Sequence, residues 1–196
     1  MLGAFRSFAF LNGMLFLVFW QTGMSCACAD DKIDALRQKA EGGDAKAQYD
    51  LGVIYWMGKK VRKDYAQARV WLEKAAAKGS AESQVLLGVM EYHGQGGPRN
   101  DAKAAEWMTK AATSGNAGGQ LQLGMYKACG VGVEKNLEDA YFWLMLARKE
   151  PWYARTAMPV INGFLAWNLT KEQIAAAEKK AAEFKPAIVS CLGNTP

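Results

Sequence analysis

Residues 43–58 read GDAKAQYDLGVIYWMG, residues 79–94 read GSAESQVLLGVMEYHG and residues 115–130 read GNAGGQLQLGMYKACG. The three stretches stand 36 positions apart and align without a gap. The segments that follow them align as well: DYAQARVWLEKAAAKG from Asp64, NDAKAAEWMTKAATSG from Asn100 and NLEDAYFWLMLARKE from Asn136. A fixed period of this length marks a repeat architecture, and it takes precedence over any local motif. Small and apolar residues recur three and four apart in both halves of each repeat, the pattern of paired amphipathic helices. Asp44, Ser80 and Asn116 open the first helices, and Asp64, Asn100 and Asn136 open the second. All six are N-cap residue types, so the capping chemistry is kept while the identity changes. Gly43, Gly79 and Gly115 follow the second helices, where a left-handed cap favours glycine. Gly52, Gly88 and Gly124 fall mid-helix, where each costs about 1 kcal/mol relative to Ala. Three in register predict a close approach by a neighbouring helix. Trp71, Trp107 and Trp143 are expected to fill the space between paired helices.

The chain has 196 residues, 51% apolar and 22% charged, with a formal net charge of +5. This is the balance of an ordinary globular protein with room for a core. Residues 1–29 carry one charge, Arg6, then an apolar run from Phe8 to Trp20 and a small-residue Ala27-Cys28-Ala29 site. That layout is a cleavable secretory signal peptide. An uncut anchor and a lipoprotein cysteine at Cys26 or Cys28 are the alternatives. The mature chain is expected to begin near Asp30, in the periplasm, without a stable membrane span. Cys129 and Cys191 then remain. In an oxidising compartment they form a candidate disulfide, or they stay free.

The pattern A-x-A-Q-x-x-L-G-x-x-Y, followed by A-x-x-W-x-x-K-A-A-x-x-G, resembles the Sel-1-like repeat family, relatives of the tetratricopeptide repeat. The resemblance covers residues 43–149. It implies an all-α fold: a right-handed α/α solenoid of three 36-residue helix-turn-helix repeats, at 43–78, 79–114 and 115–149. The segment from Asp34 is similar to the second helix of a preceding half-repeat, so the solenoid is taken as 30–149. Residues 150–196 then form a C-terminal helical cap and tail. Pro151 and Pro159 are expected to break the helical run there, and Thr170 with Gln173 reads as a capping box opening the last helix. The pattern is departed from at Lys60, which stands where the other repeats have Gly96 and Gly132. It is departed from again at Glu91 and Lys127, which stand where the first repeat has Tyr55.

Chemistry is hard to find. His93 is the only histidine, so no HExxH or His-rich metal set can be built. GxSxG, CxxC and Walker sequences are absent from the chain. The reading is therefore a non-enzyme without metal or cofactor, with a cell-wall or β-lactam hydrolase as the alternative from another class. The stretch YWMGKKVRKDY, residues 55–65, interleaves Lys59, Lys60, Arg62 and Lys63 with aromatics, a footprint shared with nucleic-acid binders. It maps onto the loop between two helices, and only its last basic position recurs, as Arg99 and Lys135. An exported chain does not meet nucleic acid, so the run reads as a solvated loop that steers an acidic partner.

The resemblance implies that the first helix of each repeat lines a concave face. Its outward positions are Asp50, Val53, Trp56 and Met57, then Leu86, Val89, Tyr92 and His93, then Gln122 and Met125. Such an apolar row is expected to bind another protein, although the same residues also suit packing on a neighbouring repeat. The functional expectation is a periplasmic protein-binding scaffold. Its finer form is an immunity protein that neutralises a phospholipase effector delivered by type VI secretion. An adaptor or regulator of envelope signalling or assembly is the other form.

Overall fold

The computed structural model describes residues 32–187, and the signal-like segment 1–29 and Cys191 lie outside them. Among the described residues the secondary structure is helical throughout. Helix α1 spans 32–41. Three pairs follow: α2 (Ala45–Met57) with α3 (Tyr65–Ala77), α4 (Ala81–His93) with α5 (Asp101–Thr113), and α6 (Ala117–Cys129) with α7 (Leu137–Ala147). The cap comprises α8 (Pro151–Val160), a π-helical turn (Ile161–Leu165), α9 (Ala166–Asn168) and α10 (Lys171–Glu183).

The starts of the helices are fixed by side chains that accept backbone N–H groups. Asp44 accepts from Ala47 at 2.9 Å and Asp64 from Gln67 at 3.0 Å. Asn100 accepts from Lys103 at 3.0 Å and Asn136 from Asp139 at 2.9 Å. The first helix of each repeat ends on a left-handed glycine: Gly58, Gly94 or Gly130. The loop after it is closed by one recurring bond, in which Asp64, Asn100 and Asn136 donate to the carbonyls of Tyr55, Glu91 and Lys127 at 2.9–3.0 Å. Lys60 adopts φ 66°, the same left-handed region as Gly96 at 80° and Gly132 at 65°. The departure from the pattern is thus absorbed as backbone strain, and the loop keeps its shape.

Within each repeat the mid-helix glycine is a contact point. A Cβ on Gly52 would lie 2.7 Å from Leu72 Cγ, one on Gly88 2.8 Å from Met108 Cε, and one on Gly124 2.7 Å from Leu144 Cγ. The second helix therefore passes against the first with no room for a methyl group. Between repeats, the buried Gln48 donates to the Ala40 carbonyl at 2.9 Å and Gln120 donates to the Ala112 carbonyl at 3.4 Å. Each amide ties a first helix to the end of the helix before it. The tryptophans reach further than the sequence reading placed them. Trp71 packs with Ala40, Ala47 and Leu51, and Trp107 packs on the cluster of Ala68, Leu72 and Leu87. Trp143 packs on that of Ala104 and Met108. Each therefore also joins its repeat to the previous one. The core is a string of four clusters, as expected for a solenoid whose repeats touch only their neighbours.

The cap corrects one expectation. Pro151 opens α8, but Pro159 lies inside it and the helical run continues to Asn168. Pro removes one backbone donor, and the helix widens just beyond it, with Ala166 N–H bonding Ile161 at π spacing. A π-turn is a known way to absorb such a defect. Ile161 and Leu165 are buried against α6, α7 and α10, and that burial holds the run together. The Thr170–Gln173 capping box forms in both directions. Beyond α10 the chain turns back, and Ala187 N–H bonds the Thr113 carbonyl at 2.8 Å.

Candidate functional site

The first helices α2, α4 and α6 lie side by side and expose one face. Two depressions cross it. The first, of about 290 Å³, is lined by Val53, Trp56 and Met57 of α2 and by Leu86 and Val89 of α4. Tyr153 of α8, with Asn116 and Gly118, closes one end, and Glu82 stands on that rim. The second, of about 220 Å³, is lined by Val89, Tyr92 and His93 of α4, by Gln122, Met125 and Cys129 of α6, and by Val131. Val89 is common to both, so the two depressions adjoin on α4 and together form the apolar channel of this face.

Nine of the ten residues singled out from the sequence line this channel. Asp50 does not: it points along α2 to Lys46, at 3.7 Å. The nine differ in how free they are. Met57 and Met125 are exposed, at 43% and 36%. His93 is exposed as well, while Val53, Leu86, Val89 and Gln122 are half-buried. Trp56 packs on the core cluster below α2, and its Nε1 donates to Gln95 Oε1 at 2.7 Å. Tyr92 lies under the guanidinium of Arg99, 4.5 Å from its ring centroid, and packs against Tyr126 at 5.6 Å. Both aromatics thus serve the core and the channel together. Sequence reasoning missed the contribution of Tyr153, because the cap does not repeat. It also missed Gln95, a loop residue with no counterpart amide.

A polar frame holds this face in position. Arg69 of α3 bonds the buried carboxylate of Glu91 at 2.5 Å and the Gln95 carbonyl at 3.3 Å. Trp56, Gln95, Arg69 and Glu91 therefore form one network across α2, α3 and α4. This explains Glu91 at a position where the first repeat has a tyrosine. Lys127 at the third equivalent finds Asp139 at 3.4 Å, and Tyr55 receives Arg37 at 3.4 Å. Arg99 is bonded to Asp101 at 2.6 Å, which raises the arginine and holds the Asp101 carboxyl below its usual range. Burial pushes the Tyr126 phenol up to about 12, and burial first, then Glu82, also raises Tyr49.

His93 and Cys129 face the same depression, and no hydrogen bond joins them. Cys129 is exposed; its suggested disulfide partner Cys191 lies outside the described residues. Among the described residues no cluster of three or more histidine, cysteine or acidic side chains is placed to hold a metal. No helix among them is long and apolar enough to cross a membrane. What the site offers is an apolar channel with sulfur and aromatic lining, a surface suited to packing.

The Sel1 repeat model matches residues 45–80, 81–116 and 117–149. Its repeats start at the first helical residue, two positions after the turn glycine. A stretch of 49 residues is 43% identical to the secretory immunoglobulin A-binding protein EsiB of Escherichia coli O6:H1. That stretch is 25% of this chain and 10% of EsiB. Among solved structures, c5321, a protective antigen present in uropathogenic Escherichia coli strains displaying an SLR fold, superposes with a TM-score of 0.70. It is 30% identical, over 84% of this chain and 36% of that one. A Sel1 repeat protein from Oxalobacter formigenes superposes with a TM-score of 0.58 at 28% identity, over 65% of this chain and 97% of that one. The chain therefore spans a small part of EsiB and about a third of c5321.

Proposed function

Because the chain belongs to the Sel1 repeat family, whose members act as protein-interaction scaffolds, we propose that it is a non-catalytic periplasmic scaffold holding another protein against the face of α2, α4 and α6. One observation carries this reading. The two depressions adjoin at Val89 and together place apolar lining on the first helices of all three repeats. A continuous apolar surface with methionine and aromatic lining is the kind of surface a partner buries. The periplasmic part rests on residues 1–29, whose single early cation, apolar run and small-residue end fit an export signal. EsiB, similar over one stretch, is an immunoglobulin-binding protein by name, which favours a protein partner here.

The finer form of the proposal is an immunity protein that blocks a phospholipase effector delivered by type VI secretion. A small exported binder with its own rigid frame suits neutralisation of a toxin in the same compartment. An envelope adaptor or regulator has the same surface requirement and differs in its partner. The test is affinity capture from the native periplasm with the wild-type chain and with Met57→Glu/Met125→Glu. Those two side chains are exposed and carry no core packing that the substitution would remove. A partner held by wild type and lost by the variant is the expected result. Equal capture overturns the assignment of this face. Co-production with periplasmic phospholipase effectors then separates immunity from adaptor, since only an immunity protein restores growth.

A further inference from the structure

We infer that the channel takes an apolar segment of a partner protein whose carboxylates lie at the end that meets Lys59, Lys60 and Arg62. This rests on the partner-binding reading above and adds the partner's charge and direction. Met57 lines the channel and Lys59 follows it by two residues. The Lys59 Cα is thus within about 8 Å of the Met57 Cα, inside the screening length of physiological salt. Lys59, Lys60 and Arg62 are exposed, and their side chains make no ion pair or hydrogen bond among the described residues. Several cations elsewhere on the repeats are engaged, so their charge is partly spent within the molecule. Arg69 bonds Glu91, Arg99 bonds Asp101, Lys127 and Lys180 meet Asp139, and Lys74 and Lys110 sit over tryptophan rings.

The cationic loop is particular to the first repeat. Its equivalents are Gln95, Gly96 and Pro98, then Val131, Gly132 and Glu134. Lys60 is the more telling member. It holds φ 66° where both other repeats place glycine. A non-glycine residue in that region is strained, and such strain gathers where a side chain is needed. At the other end of the first depression the rim charge is Glu82. The channel is thus positive beyond Met57 and negative beside Tyr153, and a partner segment of opposite polarity is held in one direction. Charge of this kind selects orientation and speeds encounter more than it adds affinity.

Selection of a random peptide library displayed on phage, using the purified chain as bait, tests this. The expected winners combine apolar residues with Asp or Glu clustered at one end. Lys59→Glu/Lys60→Glu/Arg62→Glu should bind them about tenfold more weakly at low salt, with the difference shrinking at high salt. The neutral Lys59→Gln/Lys60→Gly/Arg62→Gln variant relieves the strained residue, so it controls for folding and should lose affinity in the same direction. Apolar winners with no acidic bias, lost on Met57→Glu, overturn the charge inference and leave the channel standing. Winners indifferent to Met57→Glu overturn the channel reading itself. Failure to enrich any peptide counts against both.

Discussion

The indole Nε1 of Trp56 donates to Oε1 of Gln95 at 2.7 Å, across the boundary between the first and second repeats. The bond makes Trp56 part of the frame as much as of the channel. Removing either partner leaves the other unsatisfied in a half-buried place. Gln95→Ala and Trp56→Phe should each cost about 1 kcal/mol of stability. The double variant should cost much less than the sum, since one bond is being lost twice. Denaturant unfolding of the four proteins gives the coupling, and strict additivity would mean that the bond contributes nothing.

Lys60 is strained and its glycine equivalents are not. Gly96 and Gly132 pass close to the previous repeat's second helix, where a Cβ would meet the carbonyls of Tyr65 and Asp101. The position standing in that relation to Lys60 is residue 29, outside the described residues. Lys60→Gly should raise stability by about 0.5–1 kcal/mol, the relief of left-handed strain less the extra freedom of the unfolded chain. The same variant should weaken any partner held through the loop charge. Thermal unfolding alongside peptide affinity measures both, and a loss of stability would show that the strain is absent.

The mid-helix glycines should respond to alanine in a definite order. Alanine gains about 1 kcal/mol of helix propensity and loses about 1–3 kcal/mol to overpacking. At Gly88 the obstacle is the flexible end of Met108, so the two should nearly cancel. At Gly52 and Gly124 it is a leucine branch point, and the net cost should be about 1–2 kcal/mol. At Gly119 the backbone nitrogen of Ala112 lies 2.8 Å from the new methyl, and this substitution should be the worst of the four. Melting temperatures rank them directly.

Tyr126 gives the molecule an alkaline limit. Its phenol keeps its proton to about 12 in the folded chain, whereas in the unfolded chain it ionises near its ordinary value of about 10. Above about pH 10 the unfolded state therefore holds fewer protons, and stability falls until the folded phenol also ionises. The loss over that window is about 2–3 kcal/mol for this one group. Tyr126→Phe should flatten that part of the stability curve. Tyr49 and Tyr141 are also raised by burial, so some slope will persist.

What was legible in the sequence was what occurs three times. The caps at Asp44, Ser80 and Asn116, the close approach at Gly52, Gly88 and Gly124, and the outward row on the first helices could all be read from their register. Features built once were not legible. Gln95 joins Trp56 only because its loop folds back over the first repeat. Tyr153 reaches the channel from a cap with no repeat to align. Pro159 was expected to stop a helix, and burial of Ile161 and Leu165 outweighs the one bond it removes. For Trp56 partner contact and packing both stayed open, because periodicity reports which face a side chain occupies and is silent about its hydrogen bonds.

The tail that returns from α10 to the Thr113 carbonyl links residues more than two repeats apart in the chain. In a structure whose other cohesion passes from neighbour to neighbour, that stitch sets a direction of unravelling. The cap and the third repeat are clasped, while among the described residues α1 packs on α2 and α3 alone. Heat or a pulling force should peel the chain from α1 inward, so amide exchange should be fastest there and slowest around α6 and α7. Among the described residues the N-terminal end is the less clasped one, and the clasped end is the one that keeps Tyr153 beside the channel.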